Sequence, residues 1–235
     1  MASAAISHDV HAHEHGHEHH EELSFIRKYI FSEDHKVIAK QYLITGIAWA
    51  VLGGLLSLLF RLQLGFPNMS LEWLRPVLGG WLDESGKLQQ EFYLALVTMH
   101  GTIMVFFVLT AGLSGTFSNL LIPFQIGARD MASGFINMLS YWFFFVSSLI
   151  MFVSLFVPTG PASGSWVIYP PLSALPQAMP GSGLGMTLWL TSMAIFIMSS
   201  LMGSLNYVTT IINLRTRGMT FTKMPLTIWA FLFTA

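Results

Sequence analysis

His100 is the residue with the clearest capacity for chemistry, because it stands alone in a long apolar run. From Phe92 to Ala128 it is the only Asp, Glu, Lys, Arg or His among 37 residues. Ionisable residues inside membrane segments usually mark functional sites, and a neutral imidazole in a helix bundle is well suited to ligate haem iron. Gly101 beside it would let a flat macrocycle approach the backbone. The alternative is a core histidine bonded to a serine or a carbonyl.

Arg61 is the second residue of interest, because it ends the first apolar segment on the same side as His100. Long basic side chains commonly extend from a helix end to the lipid headgroups. The alternative is a fixed cation for the polar substituents of a haem. Arg61 alone favours the first interpretation, and its position on the same side as His100 strengthens the second.

A group of polar residues is predicted to converge on the opposite side of the membrane, below the lone carboxylate of Asp130. Hydroxyls and amides in such a place can hold a chain of water that conducts protons, with the carboxylate collecting them. They can equally serve as hydrogen bonds between helices, worth about 0.6 kcal/mol each. Spacing alone leaves these alternatives open. The residues concerned are Tyr42, Asn119, Asn137, Ser199, Ser200 and Asn206.

The composition of the chain shows which solvent must surround these residues. Of 235 residues, 53% are hydrophobic and only 10% are charged, against about 25% charged in soluble domains. From Met131 to Leu214, 84 consecutive residues contain no Asp, Glu, Lys, Arg or His. A soluble enzyme is therefore excluded, and the net charge of -1 indicates no nucleic-acid partner. The absence of cysteine excludes disulfides and thiolate chemistry, which leaves histidine as the only strong ligand for soft metals in this chain.

Hydropathy predicts an all-α, polytopic transmembrane bundle with four full spans and the start of a fifth. The segments at about 41–60, 92–121, 133–157 and 183–213 each reach the ~20 residues that a spanning helix needs. The fifth begins near Met224, so residues 23–235 form the bundle. Residues 61–91 and 158–182 are predicted outer loops. The first contains an amphipathic interfacial helix at 70–83, and the second is an irregular, proline-rich cap that carries Trp166 and Tyr169.

Residues 1–22 are predicted to be a disordered polar tail, because they hold seven of the nine histidines and no apolar run. They lack the pattern of a signal peptide. The tail is either simply solvated or a binder of copper or nickel. With the N-terminus in the cytoplasm, eight Lys and Arg residues fall on the inner side and three on the outer side, so the positive-inside rule favours that orientation.

Seven short motifs occur in order and with matching gaps from about Ser32 to Ala235, and together they resemble subunit I of the haem-copper oxidases. These are respiratory terminal oxidases related to cytochrome c oxidase. The motifs are Asp34-His35-Lys36 with Tyr42; Leu58 to Arg61 with Leu64, Gly65 and Pro67; Met99 to Phe107; Asn119 to Pro123 with Ile126 to Ala132; Asn137 to Trp142; Trp166 with Tyr169 to Leu172; and Asn206 to Asn213.

The resemblance implies roles for individual residues. His100 would be one of two axial ligands of the low-spin haem, of a-type, and Arg61 would contact its formyl side. Trp166 would lie near the haem propionates. Asp130 would stand at the mouth of the D proton pathway, and the polar residues on the same side of the membrane would line it. No catalytic residue of the oxygen-reducing centre is expected within this chain.

The resemblance also implies the activity and partners of the whole protein. It would reduce O2 to water with proton pumping, in a bacterial cytoplasmic (inner) membrane, together with oxidase subunits II and III and with cytochrome c or another electron donor. The second haem and the copper would be ligated beyond residue 235, so the chain is expected to be incomplete for catalysis. The alternatives are a quinol-oxidising member, a small membrane cytochrome and a haem-free transporter.

Four positions depart from the family pattern. Gln63 stands where many members have a Glu that helps bind a calcium or sodium ion. Met138 replaces the second of two adjacent asparagines, and Ser133-Gly134 replaces a usual Phe-Pro. The motif Ala128-Arg129-Asp130 is shared with quinol-oxidising members, so it does not identify the donor.

Overall fold

The structure is a computed structural model that describes residues 24–171, 174–175, 177 and 183–235. The predicted tail at 1–22 lies outside the described residues. Contacts divide the chain into two units, Met1–Phe31 and Ser32–Ala235. In the first unit a short π-helix covers Ile26–Ile30.

The second unit is a bundle of long apolar helices, which confirms the predicted all-α, multi-span architecture. Four helices are long and apolar enough to cross a membrane, and the described residues form no β-strand. These spans are α1 (His35–Gly65), the continuous helix Gln90–Ile126, α5 (Gly134–Ser154) and α6 (Leu184–Asn213). The second span consists of α3 (Gln90–Thr102), a π-helical segment (Ile103–Leu113) and α4 (Ser114–Ile126). Short α2 (Arg75–Leu78) precedes it, and α7 (Leu226–Thr234) begins the fifth apolar segment.

Successive spans run in opposite directions, so the end of one span and the beginning of the next lie at the same end of the bundle. We call the end where α1 finishes and α3 begins the Arg61 end. The other end, where α1 and α5 begin and α4 and α6 finish, is the Asp130 end. The predicted groups around His100 and around Asp130 are thereby held at opposite ends by the same four spans.

The π-helical segment directly after His100 packs against α1 through two glycines. A Cβ placed on Gly46 would lie 2.8 Å from the Cα of Gly112, so the two backbones touch. Small residues allow such close approach in membranes. Within the segment the Thr110 hydroxyl donates to the Val105 carbonyl, five residues earlier, at 2.8 Å. Hydropathy does not predict this segment, and π-helical turns often occur at functional sites.

Gly46→Val is expected to destabilise the bundle, because the added methyl groups would force α1 away from the π-helical segment. Overpacking of this kind costs about 1–3 kcal/mol. The apparent thermal unfolding midpoint of the full-length subunit in detergent should therefore fall. Gly65→Val is the control, since a Cβ there meets no atom within 4 Å. Equal midpoints for the two variants would refute the close contact.

Helices α5 and α6 are joined along an antiparallel seam of small polar residues spaced by seven. The hydroxyls of Ser140 and Ser199 each donate to the other's carbonyl, at 2.9 and 2.6 Å. One repeat further along, the Ser147 and Ser192 hydroxyls do the same at 2.8 and 2.7 Å. Reciprocal bonds of this kind hold two helices together where lipid provides no hydrophobic force between them. The pairs that bond across the seam are Ser133, the N-cap of α5, with Asn206, Ser140 with Ser199, and Ser147 with Ser192.

The prediction of one continuous amphipathic helix at 70–83 is wrong. The structure has three short helical pieces there, a 3-10 turn at Glu72–Leu74, α2, and a second 3-10 turn at Gly79–Trp81. Gly79 has a positive φ of 52°, which ends α2. Arg75 donates to both carboxylate oxygens of Glu72 and, at 2.7 Å, to the Asp83 carbonyl. The hydrogen bonds from Arg75 hold the pKa of Glu72 below its ordinary value.

Gln63 connects the end of α1 to this loop. Its side-chain carbonyl accepts a hydrogen bond from the Leu88 amide at 3.1 Å, and its amide donates to the Pro67 carbonyl at 3.4 Å. Where many members of the resembled family have a glutamate, this chain thus has a neutral amide. That amide hydrogen-bonds to the backbone of both Pro67 and Leu88. The loop is fixed to α1 two residues beyond Arg61.

Candidate functional site

His100 is held in a defined orientation by the neighbouring helix. Its Nδ1 lies 2.8 Å from the Gly53 carbonyl of α1. A carbonyl can only accept, so Nδ1 carries the proton and Nε2 keeps its lone pair. The ring also meets Phe60 edge to face, with 5.8 Å between centroids. Imidazoles that ligate metals characteristically donate their other N–H to a carbonyl in this way, which fixes the tautomer and the ring orientation.

The surroundings of His100 fit a large flat group. His100 is only half-buried, and a Cβ on the adjacent Gly101 would meet no atom within 4 Å. Gly54, next to the carbonyl partner of His100, is equally open. An imidazole with one ring nitrogen bonded to a carbonyl, beside two uncrowded glycines, is compatible with a haem ligand.

Arg61 lies on the face of α1 that contacts His100, although the two side chains do not meet. Gly53, Ser57 and Arg61 are four residues apart and therefore share one helix face. The Arg61 Nε donates to the Ser57 hydroxyl at 3.0 Å, and the guanidinium carbon lies 5.8 Å from the centre of the Phe60 ring, which also meets His100. Arg61 and the Gly53 carbonyl are about 12 Å apart along α1 at ~1.5 Å per residue. A ligand on His100 would have to be extended to reach the guanidinium.

Trp166 contacts the second span below His100. Its indole lies 5.9 Å from the Phe106 ring, and 57% of the residue is exposed. The preceding Ser165 has a positive φ of 66° and donates its amide to the Thr98 hydroxyl at 3.2 Å. Thr98 therefore fixes the loop that carries Trp166 to α3, two residues before His100. No role for Thr98 was predicted from the sequence.

At the other end of the bundle, Asp130 is paired with a histidine that sequence reasoning did not select. The His35 Nδ1 lies 3.0 Å from the Asp130 Oδ1, which also accepts from the Met131 amide at 2.7 Å. His35 is buried, and the Asp130 side chain is 45% exposed. Asp34 caps α1 by accepting from the Lys36 amide, which makes His35 the first residue of the helix. The sequence does contain a signal for His35, because this residue directly follows Asp34, a good helix-capping residue, in the motif Asp34-His35-Lys36.

Gly134 explains how the chain before α1 reaches this position. A Cβ there would lie 2.9 Å from the Glu33 carbonyl oxygen, so a larger residue would displace the segment that carries His35. The family's proline at this position is therefore replaced by a residue that permits closer approach. The departure alters the surroundings of Asp130 and leaves the carboxylate in place.

Three buried asparagines lie further into the bundle than Asp130, and they take part in two separate sets of hydrogen bonds. The Asn137 amide donates to the Asn119 side-chain carbonyl at 2.6 Å, and Asn119 donates to the Gly115 carbonyl at 2.7 Å. Asn206 does not join them. Its side chain accepts from the Ser133 amide at 2.9 Å and donates to the Ser133 carbonyl at 3.2 Å, which fixes the start of α5 to the end of α6.

Deeper still, Tyr42 meets the seam between α5 and α6. Its hydroxyl lies 2.9 Å from the Ser140 hydroxyl, which in turn binds the Ser199 carbonyl. Sequence reasoning missed Ser140, whose signal was the spacing of seven between serines on α5. Ser200 is exposed and makes no part of this chain of bonds, but it shares a cavity with the others.

That cavity is small, and hydroxyl groups form part of its border. It has a volume of about 80 Å³ and is lined by residues that include Tyr42, Ser114, Ser140, Ser199, Ser200, Ser204 and Tyr207. A water molecule needs about 10–15 Å³ on this measure together with several polar partners. The cavity therefore has room for several waters, about 10 Å along α1 from His35 at ~1.5 Å per residue.

The geometry is compatible with both uses of the polar residues. Ser199 and Asn206 bind backbone groups of the neighbouring helix, as interhelical bonds do. Tyr42, Ser199 and Ser200 also line the small cavity, where water could lie. No group of three or more His, Asp or Glu side chains that could hold a metal ion occurs among the described residues.

Comparison with known proteins decides the family. The family described as "Cytochrome C and Quinol oxidase polypeptide I" matches residues 37–235. The chain belongs to this family. It is the N-terminal portion of a haem-copper oxidase subunit I, as the motif resemblance implied.

Individual relatives agree with this assignment. The chain is 43% identical over 212 residues to the "Alternative cytochrome c oxidase subunit 1" of Bradyrhizobium diazoefficiens, covering 90% of this chain and 33% of the relative. It is 37% identical to the "Putative cytochrome c oxidase subunit 1-beta" of Streptomyces avermitilis over 88% of this chain and 33% of the relative. It is 34% identical to the "Heme-copper oxidase subunit I+III" of Aeropyrum pernix over 90% of this chain and 24% of the relative. The chain thus spans about a third of the length of the first two relatives, and less of the third.

Proposed function

We propose that the chain is part of the core subunit of a respiratory terminal oxidase that reduces O2 to water and pumps protons. The observation that carries the proposal is His100, a half-buried histidine in a membrane span with its Nδ1 bonded to Gly53 and its Nε2 left for a ligand. Family membership supports this function over a haem-free transporter or an independent small cytochrome. The centre that reduces O2, with its copper and second haem, belongs to the part of the subunit that follows residue 235.

In this proposal His100 holds a low-spin haem, of a-type, through Nε2. The haem iron supplies one-electron transfer when it is bound. Gly53 fixes the imidazole tautomer, and Gly101 leaves room for the macrocycle. Arg61 would offer a cation to the formyl side of this haem. Trp166, whose loop is fixed to α3 by Thr98, would lie near the haem propionates.

The second part of the proposal is a route for protons from the Asp130 end towards the middle of the bundle. Asp130 accepts protons from solvent, and the buried His35 orients its carboxylate. Asn119, Asn137 and Asn206 line the narrow part of the route. Tyr42, Ser199 and Ser200 then hold waters in the hydroxyl-lined cavity. Hydroxyls can both accept and donate, so a chain of them with water can pass a proton on.

The route implies an orientation. We propose that the Asp130 end and the N-terminus face the cytoplasm in a bacterial inner membrane, with the Arg61 end on the outer side. The excess of Lys and Arg on the Asp130 side supports it. Protons would then be taken from the cytoplasm, while the haem lies nearer the outer surface.

The partners proposed are oxidase subunits II and III, an electron donor and O2, within a lipid bilayer. The name of the Aeropyrum relative joins subunit I to subunit III, which supports an association with the latter. The names of the other relatives support cytochrome c as the donor. A quinol is the alternative donor that the family description includes.

The proposal predicts that the complete complex containing this subunit consumes O2 when supplied with reduced cytochrome c. In proteoliposomes the same turnover should acidify the external medium. O2 consumption with a quinol and none with cytochrome c would identify the quinol-oxidising alternative. No consumption with either donor would refute the proposed function.

A further inference from the structure

Tyr207 carries a further hydroxyl beside the proposed proton route. It follows Asn206 on α6 and shares one helix face with Ser199 and Gly203, because the three residues are spaced at intervals of four. All three line the small cavity. Since α6 finishes at the Asp130 end, Tyr207 lies on that side of the cavity, nearest to the asparagines.

The hydroxyls of Tyr207 and Ser140 approach the same point from two sides. A Cβ placed on Gly203 would lie 3.2 Å from the Ser140 Oγ and 3.6 Å from the Tyr207 hydroxyl oxygen. Gly203 has no side chain, so the space between the two hydroxyls stays clear of carbon. Ser140 in turn binds the Tyr42 hydroxyl and the Ser199 carbonyl. Tyr207 therefore lies next to the deeper hydroxyls of the route.

On its other side Tyr207 contacts α4 through Ser118. The two hydroxyls are hydrogen-bond partners, and Ser118 is fully buried. The Ser118 hydroxyl also donates to the Gly115 carbonyl at 3.3 Å, which is the carbonyl that the Asn119 amide binds at 2.7 Å. The Tyr207 hydroxyl thus stands between the bonded asparagines and the deeper hydroxyls.

The ring of Tyr207 gives this hydroxyl a defined position. It packs against the apolar cluster that contains Ile122 and Ile211, and a tyrosine side chain has only two χ angles. The ring is thereby fixed among carbon atoms while its tip reaches a polar place. Ser114 and Ser204 line the same cavity, so a water beside Tyr207 would meet several hydroxyls, as ordered buried waters require.

We propose that Tyr207 is a positioning residue of the proton route, an assignment that rests on the proposed function. Its hydroxyl holds the water that connects the asparagines to the hydroxyls around Ser140. A phenol oxygen can accept from water while its own proton is donated elsewhere. Tyr207 therefore orients water without changing its own charge, and the proton passes along the water that it orients.

The test compares Tyr207→Phe with Tyr141→Phe in the complete complex. Each variant loses one hydroxyl contact between two helices, because the Tyr141 hydroxyl lies 3.1 Å from that of Thr45, but Tyr141 does not line the cavity. Tyr207→Phe should lower O2 consumption about tenfold, less than the ~10²–10⁴-fold of a group that transfers the proton itself. It should also raise the solvent deuterium isotope effect on turnover, since proton delivery becomes the slow step. Tyr141→Phe should change neither quantity.

A purely structural role would give a different result. Lower unfolding midpoints in both variants, with the isotope effect unchanged in both, would show that Tyr207 only joins α6 to α4, and would overturn the proposal. Unchanged turnover in Tyr207→Phe would overturn it while the proposed function stands. No O2 consumption by the unaltered complex would refute the proposed function and this role together.

An experimental density map of the unaltered complex, at a resolution that shows water, decides the matter where Tyr207→Phe fails to assemble. We expect water density within hydrogen-bond distance of the Tyr207 hydroxyl, on the side that faces Ser140. A side chain from the rest of the complex that fills this space would overturn the proposal.

Discussion

Replacement of His100 by alanine in the full-length subunit is expected to remove the low-spin haem and reduce O2 consumption to background. The methyl group of alanine offers no ligand, and the Gly53 carbonyl loses its donor at the same time. Loss of an outer partner of a metal ligand alone typically costs about 10-fold to 100-fold in affinity or activity, and loss of the ligand itself should cost more. The measurements are the ratio of haem to protein in the purified complex and its rate of O2 consumption.

The control for this variant is Met99→Leu. Met99 is fully buried and adjacent to His100, and exchange of Met for Leu conserves volume and usually costs under about 1.5 kcal/mol. That variant should keep its haem and its activity. Full haem content in His100→Ala would show that His100 is a core histidine bonded to a carbonyl, which was the alternative open from the sequence.

Asp130→Asn is expected to lower turnover by about a hundredfold, because an amide cannot take up and release a proton. This is the lower part of the range for positioned proton-transfer groups. Asparagine keeps the size of the side chain and can still accept from the Met131 amide, so the loop should stay folded. The measurements are the rate of O2 consumption and the protons released per electron in proteoliposomes.

Asp34→Asn is the matched control, because it removes a second carboxylate at the same end of the bundle. Asp34 acts as the cap of α1, and asparagine caps helices about as well as aspartate. Turnover should therefore remain near that of the unaltered complex. Unchanged turnover and unchanged proton release in Asp130→Asn would refute its role, and equal losses in both variants would show a general effect of surface charge.

The spans could be predicted from sequence because the bilayer imposes one strong requirement. About twenty apolar residues without charge have few other uses. The helix found at His35–Gly65 contains the predicted segment 41–60, and Leu184–Asn213 matches the predicted 183–213 to within one residue. Helix α1 begins earlier than hydropathy indicates, because its first turn is polar and is fixed by the Asp34 cap.

Interruptions within the α-helices could not be predicted from hydropathy. The loop around α2 has apolar residues at helical spacing, but Gly79 adopts a positive φ and divides the segment. The π-helical segment after His100 lies against α1 where Gly46 meets Gly112, and these glycines are far apart in the sequence. Such contacts arise from tertiary packing and leave no periodic signal in one segment.

The candidate site was predictable where a residue type is rare in its surroundings. His100 is conspicuous among apolar residues, whereas Ser140 is one of many serines in the spans and His35 stands among charged neighbours. Their importance comes from the partner that the fold supplies, Tyr42 for Ser140 and Asp130 for His35.

The most direct test of the central claim, that His100 ligates a low-spin haem, is the reduced-minus-oxidised spectrum of the complete complex carrying His100→Ala. We expect the signal of six-coordinate low-spin haem to be absent, while the spectrum of Met99→Leu retains it. A His100→Ala spectrum that still shows six-coordinate low-spin haem would contradict the assignment.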